Sequence, residues 1–183
     1  PFPDSGVYPA VGFAQCAELP YEHAMIRNHY VGRTFIQPSQ SMRNFAVRVK
    51  INPVQAMIDG KRICIVDDSI VRGTTMITRV KKLRELGAVE VHIRISCPPV
   101  RFPCFYGIDF ASPKELIAAN HTLEEMKGIL NVDSLHYLSV DGLLRSVMHS
   151  DSYCLACFTG EYPVPCKECG KYRLEGACGG VSS

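Results

Sequence analysis

Apolar residues recur along this chain in two rhythms, and their order predicts alternating strands and helices. From Thr74 to Leu86, residues Met76, Ile77, Val80, Leu83 and Leu86 fall at helical spacing. Gly87 ends that helix, with lysines and arginines in its last turns. Before it, Arg62–Val66 reads as a strand, bounded by "DGK" on one side and by two aspartates on the other. After it, "VEVHIRIS" (Val89–Ser96) alternates strictly and predicts a second strand. Strand, helix and strand in so short a span make a βαβ unit. The expected fold is therefore α/β, with a mainly parallel central sheet flanked by helices.

Weaker patterns surround this unit. Val7–Leu19 is small and apolar, as in a buried helix, with Pro9 early, where a helix tolerates it. Tyr21–Asn28 reads as a short strand, and His29–Ser41 as a long loop carrying Tyr, Arg and Phe. Thr122 and Glu125 form a capping box ahead of "LEEMKGIL". "SLHYLS" (Ser134–Ser139) predicts another strand and Val140–Met148 another helix. After Ser150 the periodicity gives way to Cys, Gly, Pro and Lys. The expected division is an α/β domain over 1–150 and a cysteine-rich segment over 151–183.

Composition narrows the class. The chain has 183 residues, 46% apolar and 21% charged, enough for one globular domain with a core. A net charge of +2 provides no strong field for nucleic acid or a membrane surface, so neither is an expected partner. No apolar run is long enough to span a bilayer, and no leader pattern is present. The opening at Pro1 reads as a loop after a missing strand, so the expectation is a piece of a longer protein.

Nine cysteines change the picture further, because five of them crowd into the last thirty residues. An odd number without a leader favours metal binding over a disulfide scaffold. On spacing alone, Cys154-x-x-Cys157 and Cys166-x-x-Cys169 suit a tetrahedral zinc site. Cys16 and Cys64 sit in predicted helix and strand, where a thiol acts as a small hydrophobe.

The sharpest chemistry lies between the first strand and its helix, in "VDDSIVRGTT" (Val66–Thr75). In a parallel sheet, ligands bind outside the carboxyl ends of the strands, where Asp67 and Asp68 stand. Backbone N–H groups of Ser69–Thr75 at a helix start suit a phosphate. Gly73 permits close approach, Thr74 and Thr75 add hydroxyls, and Arg72 adds charge. No Gly-Lys-Ser/Thr follows, so this is not a Walker loop. Two carboxylates beside a phosphate loop need sugar hydroxyls or a hydrated Mg²⁺ between them and the anion.

This loop closely resembles the phosphoribosyl-diphosphate (PRPP) signature of type I phosphoribosyltransferases. Together with "RNHYVGRTFIQPSQ", "PCFYGID", "ELIA" and "CLACFTGEYP", it resembles the amidophosphoribosyltransferase family over about Pro1 to Pro163. The resemblance implies a type I phosphoribosyltransferase fold. It implies transfer of ammonia derived from glutamine to PRPP, giving 5-phosphoribosylamine and diphosphate, the first committed step of de novo purine biosynthesis. In this family Asp67 and Asp68 would contact the ribose hydroxyls and help hold Mg²⁺. Ser69, Ile70, Val71, Arg72, Gly73, Thr74 and Thr75 would cradle the 5′-phosphate. "PDSG" (Pro3–Gly6) matches the diphosphate loop, with Asp4 on PRPP and Ser5 near Mg²⁺. Tyr30 and Arg33 match the flap that closes over PRPP and would act in catalysis.

Iron–sulfur members of the family imply a [4Fe–4S] cluster on Cys104, Cys154 and Cys157, with the fourth ligand upstream of Pro1. The glutaminase domain, which opens on a catalytic Cys, would also lie upstream. Homo-oligomers, dimeric or tetrameric, are implied, in the cytoplasm or, for a plant source, the plastid. Cys166, Cys169 and Cys178 depart from the family pattern, and Cys97 matches no ligand position. Three other readings compete. A PRPP-binding regulator would lack the flap and the cluster cysteines. A salvage phosphoribosyltransferase would share the aspartate loop but not "YVGRTFIQP" or "CLACFTG". A zinc module would be separated by metal analysis.

Overall fold

The structure, a computed structural model, describes residues 1–27, 51–108 and 112–164. Helix α1 (Val7–Cys16) comes first, followed by strands β1 (Met25–Arg27) and β2 (Ile51–Pro53), paired antiparallel with Ile26 opposite Asn52. Strand β3 (Arg62–Asp67), helix α2 (Thr74–Glu85) and strand β4 (Glu90–Ile95) form the expected βαβ unit. The short helix α3 (Ile117–Asn120) and helix α4 (Leu123–Leu130) lead to β5 (Ser134–Tyr137), then to α5 (Val140–Arg145) and α6 (Ala156–Thr159). Strands β3, β4 and β5 lie side by side in that order, all parallel.

The strict alternation of β4 has a direct packing cause. Ile65, Ile93 and Leu135 stand opposite one another on one face of the sheet, each buried. Helix α2 lays Met76, Val80 and Leu83 into the same core, and α4 adds Met126 and Leu130. Each such side chain contributes about 1.5–3 kcal/mol when taken fully out of water. The other face carries Cys64, His92 and Ser134 in register, with His92 bonded to Ser134 Oγ at 2.9 Å.

Local bonds shorten several elements relative to their apolar pattern. Helix α1 stops at Cys16 rather than Leu19, because Glu18 adopts a left-handed φ of +52° and Pro20 follows. The strand expected over Tyr21–Asn28 is confined to Met25–Arg27 among the described residues. Helix α5 ends at Arg145, before Met148, where the Ser146 hydroxyl donates to the Leu143 carbonyl at 2.7 Å. The capping box holds as expected. Glu125 N–H donates to Thr122 Oγ1 at 3.3 Å, and Thr122 N–H donates to Glu125 Oε2 at 2.7 Å. Thr122→Ala is expected to destabilise the chain by about 1 kcal/mol, read from a urea melt. An unchanged midpoint would mean that the cap contributes nothing.

The residues after Ser150 that the structure describes dock against the α/β layer. Cys157 and Phe158 of α6, together with Val71, pack on Val100 and Leu116. The Cys157 carbonyl accepts the N–H groups of Arg101 at 3.0 Å and Phe102 at 3.1 Å.

Candidate functional site

At the carboxyl end of β3 the chain leaves the sheet at Asp67, and α2 does not begin until Thr74. The intervening loop borders a cavity of about 450 Å³. Gly73 turns the chain into the helix with a φ of +79°, a conformation L side chains avoid. A Cβ there would also lie 2.8 Å from Ile117 Cδ1. No side chain caps this helix. Its first bond runs from Ile77 N–H to the Gly73 carbonyl at 2.9 Å, so the N–H groups of Thr74 and Thr75 are left for an acceptor outside the helix. An anion meets that need and is favoured by the helix dipole.

A second segment completes the cavity from far away in sequence. Phe2 N–H donates to the Val66 carbonyl at 2.8 Å, which lays Pro3–Gly6 beside the end of β3. Ser5 Oγ then reaches both aspartates, at 3.3 Å from Asp67 Oδ1 and 3.0 Å from Asp68 Oδ1. One hydroxyl proton cannot satisfy two carboxylates, so their convergence suits a cation. Two carboxylates, a hydroxyl and a neighbouring phosphate pocket form an oxygen donor set of the kind Mg²⁺ takes.

Asp67 is the buried member of the pair, at 4% exposure. Burial pushes its carboxyl up to about 6, helped by the hydrogen bond with Asp68 and opposed by the Arg79 guanidinium. Arg79 Nη1 donates to Asp67 Oδ2 at 3.0 Å. Burial lowers the guanidinium to about 10, which leaves it charged at neutral pH. Phe2, Met76, Arg79 and Ile108 are cavity-lining residues that sequence reasoning missed. A signal was available for Arg79. It stands one turn after Thr75, on the helix face that Thr75 turns toward the loop.

The structure brings Ser5 and every residue from Asp67 to Thr75 to the cavity wall. Asp4 is not on that wall, and its carboxylate pairs with Arg27 at the end of β1. Arg72 lines the cavity but also pairs with Glu115, Nε to Oε1 at 3.1 Å. Tyr30, Arg33, Cys166, Cys169 and Cys178 lie outside the described residues.

No protein-family model matches the chain. Individual proteins do. The amidophosphoribosyltransferase of Bacillus subtilis (strain 168) is 52% identical over 166 residues, covering 88% of this chain and 35% of that protein. The amidophosphoribosyltransferase of Methanocaldococcus jannaschii is 53% identical over 163 residues, covering 89% of this chain and 34% of that protein. The solved structure of glutamine PRPP amidotransferase from B. subtilis, complexed with ADP and GMP, superposes with a TM-score of 0.76 at 51% identity. That match covers 88% of this chain and 36% of the other. Over about nine-tenths of its length the chain is similar to amidophosphoribosyltransferases. It spans about a third of the length of these relatives. Its parallel sheet flanked by helices is the phosphoribosyltransferase fold expected of an amidophosphoribosyltransferase.

The cysteines expected as cluster ligands in an iron–sulfur amidophosphoribosyltransferase share one neighbourhood. Burial raises the Cys157 thiol, and Cys104 and Cys154 push it further up. Tyr106 N–H donates to Cys104 Sγ at 3.4 Å. Among the described residues, however, no three metal-ligating side chains converge to hold an ion. Among the described residues, the thiols of Cys104, Cys154 and Cys157 suit an iron–sulfur cluster and would supply three of the four thiolates that a [4Fe–4S] cluster takes. Cys97 is not one of them. Burial, with Asp68 nearby, pushes its thiol up to about 12 and keeps it protonated.

Proposed function

We propose that this chain is the phosphoribosyl-transfer part of an amidophosphoribosyltransferase. It would bind Mg–PRPP and transfer ammonia to C1, yielding 5-phosphoribosylamine and diphosphate. The observation that carries this reading is the convergence of Ser5, Asp67 and Asp68 beside an uncapped helix start, in a family whose relatives bear that activity's name.

Asp67 and Asp68 take the ribose hydroxyls and help hold Mg²⁺, with Ser5 beside them. Backbone and hydroxyl groups from Ser69 to Thr75 take the 5′-phosphate, and Asp4 borders the diphosphate. Bound Mg²⁺ supplies charge neutralisation to the diphosphate. Departure of diphosphate leaves positive charge on the ribose ring, and ammonia attacks C1. Holding both ends of the ligand makes the reaction one of positioning and electrostatics, with no side-chain nucleophile. Tyr30 and Arg33 close over the ligand and exclude water. In the longer protein, glutamine supplies the ammonia through a separate glutaminase domain. We assign residues 1–150 to the transferase domain and 151–183 to a cysteine-rich segment. There Cys154 and Cys157, with Cys104, would join a fourth ligand from outside this chain in a [4Fe–4S] cluster. A homo-oligomer in the cytoplasm completes the reading. Among the described residues no helix is long and apolar enough to cross a membrane.

The test is ammonia-dependent release of diphosphate and phosphoribosylamine from Mg–PRPP. Turnover that requires ammonia and Mg²⁺ is expected. Tight PRPP binding without turnover would replace catalysis by sensing, and no PRPP binding would remove the reading altogether.

A further inference from the structure

Asp67 and Asp68 are neighbours in sequence but differ in their surroundings. Both carboxylate oxygens of buried Asp67 already have donors. Oδ1 accepts the Asp68 N–H at 2.9 Å and the Ser5 hydroxyl at 3.3 Å. Oδ2 accepts from Arg79 Nη1 at 3.0 Å. Asp68 is exposed, and its Oδ1 accepts from Ser5 at 3.0 Å. Arg79 reaches this point from α2, with its side chain only 19% exposed and its guanidinium stacked on the Phe2 ring. Its Nε is buried without a hydrogen-bond partner among the described residues. The guanidinium is thus held by two things, the Phe2 ring and the Asp67 carboxylate. A planar guanidinium caught this way fixes the orientation of its partner more firmly than an ammonium would.

We infer that Arg79 is a positioning residue, which locks Asp67 as an inner scaffold carboxylate and leaves Asp68 as the carboxylate that meets the ligand's cation or sugar hydroxyls. The influence passes in one direction. Arg79 orients Asp67, and Asp67 Oδ1 holds the Asp68 backbone N–H, which sets where the Asp68 side chain points. This refines the paired role given to the aspartates and rests on the PRPP reading of the cavity. Arg79 needs no contact with the ligand for this role.

The experiment is a double-mutant cycle read by calorimetric titration with Mg–PRPP, each variant first checked by thermal melting. Arg79→Met keeps the apolar stem and removes the charge. In the otherwise unchanged chain it is expected to weaken Mg–PRPP binding about tenfold or more, as losing a partner behind a metal ligand does. In the Asp67→Asn background the same change is expected to alter affinity by no more than about twofold, because Arg79 acts through Asp67. In the Asp68→Asn background the loss should shrink as well, because the influence of Arg79 reaches the ligand through Asp68, and a full tenfold loss there overturns the inference. Arg79→Lys keeps a cation and should recover part of the loss. Should Arg79→Met not fold, Arg79→Lys goes through the same cycle, with a smaller loss expected and the same dependence on Asp67. Equal losses with and without the Asp67 carboxylate, or no loss in the unchanged chain, overturn the inference. Failure of the unchanged chain to bind Mg–PRPP would instead remove the functional reading, and the inference with it.

Discussion

Asp67→Asn combined with Asp68→Asn is expected to weaken Mg–PRPP binding or ammonia-dependent turnover at least hundredfold, roughly 3 kcal/mol. The substitutions keep size and shape and remove two negative charges. Those charges meet at one Ser5 hydroxyl, within 3.3 Å and 3.0 Å of it, where a cation would relieve their repulsion. Without them, the phosphate-binding half of the site remains but loses its link to the rest of the ligand. Asp67→Asn also deprives buried Arg79 of its counterion. The variant must therefore be shown folded by thermal melting before its affinity is read. A folded double variant with unchanged affinity and turnover would remove both aspartates from the site.

Gly6→Ala is expected to cost about 3 kcal/mol of stability and to abolish PRPP binding with it. A Cβ on Gly6 would fall 2.2 Å from the Val66 carbonyl oxygen, and 2.8 and 2.9 Å from the Phe2 oxygen and nitrogen. All three are backbone atoms, so no side chain can rotate away. Relief requires Pro3–Gly6 to lift off β3, which carries Ser5 away from the aspartates. The φ of Gly6 is −77°, so conformational freedom is not what this glycine provides; close approach is. Gly12→Ala is the matching control. Gly12 lies inside α1 with nothing within 4 Å of its Cβ position. There the change should stabilise by roughly 0.5–1 kcal/mol through helix propensity. Opposite signs for two glycines six residues apart would locate the effect in the contact with Val66, whereas equal effects would refute it.

Much of the scaffold is legible in the sequence. The period of Met76, Val80 and Leu83 and the alternation of Val91, Ile93 and Ile95 report the two geometries that bury a stripe or a face. Both therefore survive folding nearly unchanged. The aspartate loop was legible because strand end, loop and helix start are contiguous, so their chemistry sits in one short word. The capping box of Thr122 and Glu125 is local in the same sense. Boundaries were less legible where a single local bond competes with the apolar pattern, as at Glu18 and Ser146.

By itself, then, the sequence determined the βαβ unit, the placement of a phosphate-type loop at its carboxyl edge, and, through its motifs, the likeness to amidophosphoribosyltransferases. Only the tertiary structure decided what that loop meets. Ser5 lies 62 residues from Asp67, and its place follows from the Phe2 N–H pairing with Val66, a contact between segments that no period along the chain encodes. The spacing of Arg79 from Thr75 gives only its helix face, and its partners there, the Phe2 ring and the Asp67 carboxylate, come from segments packed across that face. The need for a glycine at Gly6 comes from the Val66 carbonyl, which lies where a Cβ would fall. The physical reason is the same in each case. Helix and strand periods record which side of an element is buried, whereas the partner across that buried side is chosen by packing between distant segments.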